Sequence, residues 1–207
     1  MKAVIVGNGP IHPPTKFLRI VESADVILAA DGGAAHCLSH QIVPHYIVGD
    51  FDSVDAELET AWANSTVFRR FPKDKDLSDL ELAYLEAEAL GATTISVFSW
   101  ADERFDYTWS ALLGLQAARQ EVVFYGSSFE LRLLNSFHPT LNWSSAGQRL
   151  SIGTLATPVS LNSKGLKWEL GWNQIESPRL SLSNQTVSPG RVDLEEGSAF
   201  VLLDDLA

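Results

Sequence analysis

Cysteine is nearly absent from this 207-residue chain: Cys37 stands alone, so no disulfide can form within it, and a reducing, cytoplasmic setting is expected. Long hydrophobic runs are absent too. None approaches the roughly 20 residues that a membrane-spanning helix needs, and Ala3-Val4-Ile5-Val6 after Met1-Lys2 is too short for a signal peptide. Basic residues are scarce, 15 Lys and Arg against 26 Asp and Glu, for a net charge of −11. That balance argues against a nucleic-acid or anionic-membrane partner, both of which select clustered positive charge. His36 and His40 sit four residues apart with His45 nearby, but no cysteine pair or second histidine cluster accompanies them, so zinc is not expected. Internal repeats and low-complexity tracts are likewise missing.

What remains is an ordinary folded composition, 45% hydrophobic and 20% charged, long enough for one or two domains with a real core. Up to about residue 126, short β-rich runs alternate with helical patterns. Strands are expected at Ala3–Val6, Val26–Ala30, Tyr46–Val48, Thr66–Phe68, Thr94–Ser99 and Val122–Tyr125. Leu80, Ala83, Ala87 and Leu90 recur at helical spacing before a Gly91 stop, and a second helical pattern runs from about Tyr107 to Arg119. Such alternation predicts an α/β fold with an open, mostly parallel sheet flanked by helices over residues 1–130. After residue 126, Pro, Gly, Ser and Asn become frequent. Leu166, Trp168, Leu170 and Trp172 alternate with Lys167, Glu169 and Gly171, the period of a strand. Residues 137–207 are therefore expected to form a small all-β sandwich.

Three apolar runs stop at acidic clusters: Asp31-Gly32-Gly33-Ala34, Gly49-Asp50-Phe51-Asp52-Ser53 and Asp74-Lys75-Asp76-Leu77-Ser78-Asp79. The carboxyl ends of parallel strands form the crevice where α/β proteins bind ligands. Carboxylates gathered there repel one another by about 4 kcal/mol per pair at 4 Å and an effective dielectric near 20. A divalent cation offsets that repulsion, and carboxylate-bound magnesium commonly shares its remaining positions with substrate phosphates. Asp50 and Asp52, two apart in extended backbone, would point the same way and could reach one ion. Asp31 could equally be an N-cap at a tight turn, with Gly32 and Gly33 allowing close approach of backbone or phosphate. Ser78 and Glu81 form a capping box that places Asp79 in a first helical turn, so capping competes with a ligand role for Asp79. Ser53 would cap a helix at Asp55–Trp62.

Taken in order, these motifs resemble thiamine pyrophosphokinases. The resemblance extends to Arg104-Phe105-Asp106 at the head of a helix, and to Gly165-Leu166-Lys167-Trp168 and Ser181-Leu182-Ser183-Asn184 near the C-terminus. It implies an α/β nucleotide-binding domain followed by a β-sandwich, assembled as a homodimer with thiamine near the subunit interface. It also implies transfer of the terminal pyrophosphoryl group of ATP to the hydroxyl of thiamine, giving thiamine diphosphate and AMP. On this sequence Asp50, Asp52 and Asp79 match catalytic magnesium ligands. Asp31, Gly32, Gly33, Lys75, Arg104 and Asp106 match ATP or phosphate contacts, and Ser183 and Asn184 match part of a thiamine site. The chain departs from the family pattern where Asp102-Glu103 replace the usual Gly-Gly before Arg104, which predicts weaker polyphosphate binding through added negative charge, and where Tyr107 replaces His. Because the acidic motifs address the nucleotide, an acceptor such as a hydroxymethylpterin is an alternative, and a non-catalytic thiamine or nucleotide binder is another.

Overall fold

The computed structural model describes residues 1–11, 13–51, 60, 62–101 and 104–204. The chain divides into two compact units, Met1–Leu115 with Phe124–Ser127, and Gln116–Val123 with Ser128–Ala207.

The first unit is a mixed α/β structure. Its elements in chain order are β1 (Lys2–Val6), α1 (Pro14–Glu22), β2 (Val26–Ala30), α2 (Gly33–Ser39), β3 (Tyr46–Gly49), β4 (Val67–Arg70), α3 (Asp79–Ala89), β5 (Thr94–Phe98) and α4 (Phe105–Leu115). Strands β5-β1-β2-β3-β4 lie side by side in that order, each pair parallel. All five residues of β2 and four of the five in β1 are buried, which is why they read as continuous apolar runs rather than alternating ones. The chain runs outward from β1 through β2, β3 and β4, then returns to place β5 on the other side of β1. That reversal opens a crevice at the carboxyl ends of β1 and β5.

Helix α1 was not expected from the sequence. Pro14 presets its first turn, and the helix buries only Phe17 and Val21, Phe17 edge-on to Phe98 at 5.1 Å. Its polar and apolar residues do segregate to opposite faces, but over nine residues only. Helix α3 keeps both expected ends. At its start, the Ser78 Oγ accepts from the Glu81 backbone N–H while Glu81 Oε2 accepts from Ser78 N at 2.9 Å. At its end, Gly91 at φ +85 lets Ala92 N donate to Ala87 O and Gly91 N to Glu88 O, a Schellman termination. Its buried residues are Leu82, Ala83, Tyr84 and Ala87. Helix α4 begins at Phe105 and ends at Leu115, short of Arg119. The helix expected at Asp55–Trp62 falls largely outside the described residues.

The second unit contains β7 (Phe129–Leu134), β8 (Thr140–Trp143), β9 (Arg149–Leu166), β10 (Gly171–Ile175) and β11 (Leu180–Asp204), all paired antiparallel; β6 (Glu121–Tyr125) is divided between the units. The first part of β11 runs beside β9 from Leu180↔Gly153, and its last part pairs with the same stretch from Ala199↔Thr154 to Leu203↔Leu150. Leu150, Ile152, Leu161, Val192 and Val201 fill the core beneath them. The alternation from Leu166 to Trp172 is not one strand. Strand β9 stops at Leu166 and β10 starts at Gly171, with a turn between them held by Glu169 Oε1, which accepts from Gly165 N and Leu166 N. Trp172 is buried, whereas Trp168 on the turn is 56% exposed.

Candidate active site

A cleft of about 530 Å³ lies in the first unit at the carboxyl ends of its parallel strands. Gly7, Asn8 and Gly9 follow β1 into it, Ala30 and Asp31 come from β2, Asp50 follows β3, and Ser99 and Trp100 follow β5. The N-terminus of α3 adds Ser78, Asp79 and Leu80; the head of α4 adds Arg104, Tyr107, Ser110 and Ala111; Lys73 stands on the rim. Asp31, Asp50 and Asp79, far apart in sequence, thus face one space.

Gly49 is the hinge of that convergence. A Cβ built on it would lie 3.0 Å from Asp31 Cβ and 3.3 Å from Asp79 Oδ1, so the missing side chain is what lets these two carboxylates close in. Asp31 takes φ +43, its backbone N–H donating to Val48 O at 2.9 Å. The adjacent glycines serve packing. A Cβ on Gly33 would fall 2.0 Å from Val6 O, and one on Gly32 2.2 Å from Asn8 Oδ1. Phe51 corrects the expectation of extended backbone through the Asp50 motif. It sits at φ +62, buried edge-on to Phe68 with the Arg70 guanidinium 4.4 Å from its ring centre, so an argument from strand alternation does not reach across it. Asp52 lies outside the described residues, as do Asp102 and Glu103.

The cleft gathers more negative than positive charge close together. Lys75 Nζ stands 3.2 Å from Asp79 Oδ1 and 3.9 Å from Asp50 Oδ2. Burial pushes the Asp79 carboxyl above its ordinary range; the Lys75 ammonium pulls the other way, and the Asp31 and Asp50 carboxylates add to the rise. Among the described residues, the buried side-chain oxygens that make no hydrogen bond are Asp31 Oδ1, Asp79 Oδ1 and Ser99 Oγ, and all three residues line this cleft. Asp79 Oδ1 has the Lys75 ammonium beside it, whereas Asp31 Oδ1 and Ser99 Oγ have no such contact and are costly to bury. No three His, Cys, Asp or Glu side chains among the described residues are grouped tightly enough to ligate one ion as they stand. The donor set is nonetheless of the kind magnesium prefers: hard carboxylate oxygens, buried and partly unsatisfied.

Other expected residues are more scattered. Arg104 lines the cleft but is bound at both ends of its guanidinium by Asp106, at 3.1 and 2.6 Å, and lies over the Tyr107 ring. The hydrogen bonds from Arg104, helped by its charge, hold the Asp106 carboxyl below the usual carboxylate range. Asp106 itself is not on the cleft wall, and Lys75 reaches only the carboxylates, leaving Lys73 as the lysine on the wall. Ser183 and Asn184 belong to the second unit. Asn184 is 1% exposed, and its amide is spent on the chain: Oδ1 accepts from Trp168 N and Gln185 N, and Nδ2 donates to Trp168 O at 2.6 Å. The histidines do structural work, His45 Nδ1 accepting from Ile27 N and His40 Nδ1 meeting His36 O. Sequence reasoning missed Asn8, Ser99, Trp100 and Ser110. They are uncharged and carry no motif; the one available signal was the Gly7-Asn8-Gly9 break after β1.

The model of the family described as thiamin pyrophosphokinase, catalytic domain, matches residues 17–124, just over half of the chain. No curated protein sequence matches significantly. Solved structures share the fold at low identity. A thiamin pyrophosphokinase family protein from Enterococcus faecalis is 18% identical at TM-score 0.79, with each chain covered in full. Thiamine pyrophosphokinase from Bacillus subtilis is 19% identical at 0.78, again with full coverage of both. Thiamin pyrophosphokinase from Candida albicans is 18% identical at 0.80, over 99% of this chain and 90% of that one.

Proposed function

Because this chain belongs to the thiamin pyrophosphokinase family, an enzyme family, we propose that it transfers pyrophosphate from ATP to the hydroxyl of thiamine in a magnesium-dependent reaction. The observation that carries this reading is the convergence of Asp31, Asp50 and Asp79 on one cleft that also holds buried, unsatisfied oxygens. The thiamine hydroxyl attacks the β-phosphorus, the bond between the α-phosphorus bridging oxygen and the β-phosphorus breaks, AMP leaves, and the hydroxyl proton is released. Reactions of this kind need positioning and charge neutralisation more than covalent help from the protein.

Asp50 and Asp79, with Asp52, would hold magnesium, which when bound neutralises polyphosphate charge beside the carboxylates. Asp79 is anchored for this by the first turn of α3, and Asp50 by the buried Phe51 that follows it. Lys73 and Arg104 supply positive charge from the wall, Arg104 after exchanging Asp106 for phosphate oxygens. The uncharged side of the cleft, with Gly7, Ser99, Trp100 and Tyr107, suits the nucleoside. For thiamine, the cationic thiazolium would take the place of the Lys167 ammonium, which lies 4.7 Å from the ring centre of exposed Trp168; Asn184 fixes the backbone beneath it, and Ser183 is its neighbour in sequence. A homodimer completes the proposed enzyme.

Incubation with ATP, magnesium and thiamine tests this. AMP and thiamine diphosphate should appear in equal amounts, and not when magnesium is chelated. AMP formed only with a hydroxymethylpterin would shift the acceptor. Saturable thiamine binding with no turnover would make the chain a binder.

A further inference from the structure

We infer that Lys75 is the resting counter-ion of the acidic cleft, displaced when a divalent cation enters, and that this exchange makes the site take its metal together with a polyphosphate rather than alone. The inference rests on the proposed reading of Asp50 and Asp79 as magnesium ligands.

Of the run Asp74-Lys75-Asp76, the two carboxylates are exposed and only the lysine turns inward, its side chain 14% exposed. Its ammonium lies within 4 Å of one oxygen from each of two cleft carboxylates. Asp79 Oδ1 is buried, and the Lys75 ammonium at 3.2 Å is the contact that compensates its charge. The same oxygen lies near Gly49, where an added Cβ would come to 3.3 Å. A metal ion that takes Asp79 Oδ1 must take it from Lys75, because an ammonium and a dication cannot share one carboxylate oxygen without strong repulsion.

Metal alone leaves the displaced, largely buried ammonium without a partner. A polyphosphate arriving with the metal supplies anionic oxygens for it. Each ligand then favours the other, and the coupling is reciprocal by linkage. Lys75 is a positioning and charge-balancing residue in this account.

Calorimetric titration of Mg²⁺ into the protein, with and without the non-transferable analogue α,β-methylene-ATP and corrected by a matching titration of Mg²⁺ into the analogue alone, reads this directly. Wild type should bind Mg²⁺ at least about tenfold more tightly with the analogue present. Lys75→Met, which keeps the stem and removes the charge, should bind free Mg²⁺ about tenfold more tightly than wild type and lose most of the enhancement, while Lys75→Arg stays near wild type. Weaker or unchanged free-Mg²⁺ binding in Lys75→Met would overturn the inference and leave Lys75 only ordering the carboxylates. Equal Mg²⁺ affinity with and without the analogue in wild type would overturn it without any variant. Wild type that turns over but fails either test sinks this inference alone. Wild type that binds no Mg²⁺ under either condition sinks the magnesium reading with it.

Discussion

Asp79 illustrates how a single residue sets function against stability. Its carboxyl is raised above the ordinary range chiefly by burial, so the folded, metal-free protein binds that proton more tightly than the unfolded chain does. Stability from this group is therefore fully present at low pH and is lost as pH rises from the ordinary aspartate value of 3.8 through the raised folded value. Asp79→Asn cannot ionise. In thermal melts of the metal-free protein its Tm relative to wild type should rise across that window and stay higher at pH 7; a lower Tm at pH 7 would show that the Lys75 pair outweighs burial. The same variant, and Asp50→Asn, should lower magnesium-dependent turnover by on the order of 10²-fold or more, and near-normal rates in both would remove the metal assignment. Ser99 offers a second residue-scale case. It is 5% exposed, at φ +55, with an unsatisfied Oγ. Ser99→Gly should stabilise the protein by roughly 1 kcal/mol through relief of the left-handed backbone, and both Ser99→Gly and Ser99→Ala should weaken nucleotide binding. Unchanged nucleotide affinity in both would mean that the hydroxyl faces no ligand.

At the level of elements, the site depends on the start of α3, and that start is braced by α4. A Cβ on Gly114 would come within 2.6 Å of Glu81 Oε1 and 2.8 Å of its Cγ and Cδ, so alanine there must push the Glu81 side chain from its capping position. Gly114→Ala and Glu81→Ala should therefore couple by about 1 kcal/mol in a double-mutant cycle read by denaturant unfolding. Strict additivity would mean that Glu81 escapes without leaving the cap. The α3 cap and its Gly91 end were legible in the sequence because both are made by local residues with fixed spacing. Strands β1 and β2 were legible as well, since burial on both faces leaves unbroken apolar runs. Helix α1 was hidden by its shortness. The Leu166–Trp172 stretch misled because a turn with an outward Trp168 keeps the same alternation that a strand would have.

At the scale of the whole molecule, the acidic residues and their gathering in one crevice could be expected from their positions after apolar runs, but the closeness of their approach could not. It depends on the strand order β5-β1-β2-β3-β4 and on the absence of a side chain at Gly49, neither of which any local pattern encodes. The uncharged wall residues were illegible for the same reason. No helix among the described residues is long and apolar enough to cross a membrane. For the proposed homodimer, light scattering should return twice the chain mass of 22.7 kDa, and a single-chain mass at assay concentrations would contradict it. Replacing Asp102 and Glu103 by glycine should tighten ATP binding by removing charge before Arg104, with unchanged affinity placing that segment away from the phosphates. The account stands most directly on where a metal–nucleotide complex binds, which a crystal structure with Mg²⁺ and α,β-methylene-ATP measures. It predicts the ion on Asp50 and Asp79, bridging to phosphate oxygens within the cleft; an ion or a polyphosphate seated without either carboxylate would contradict it.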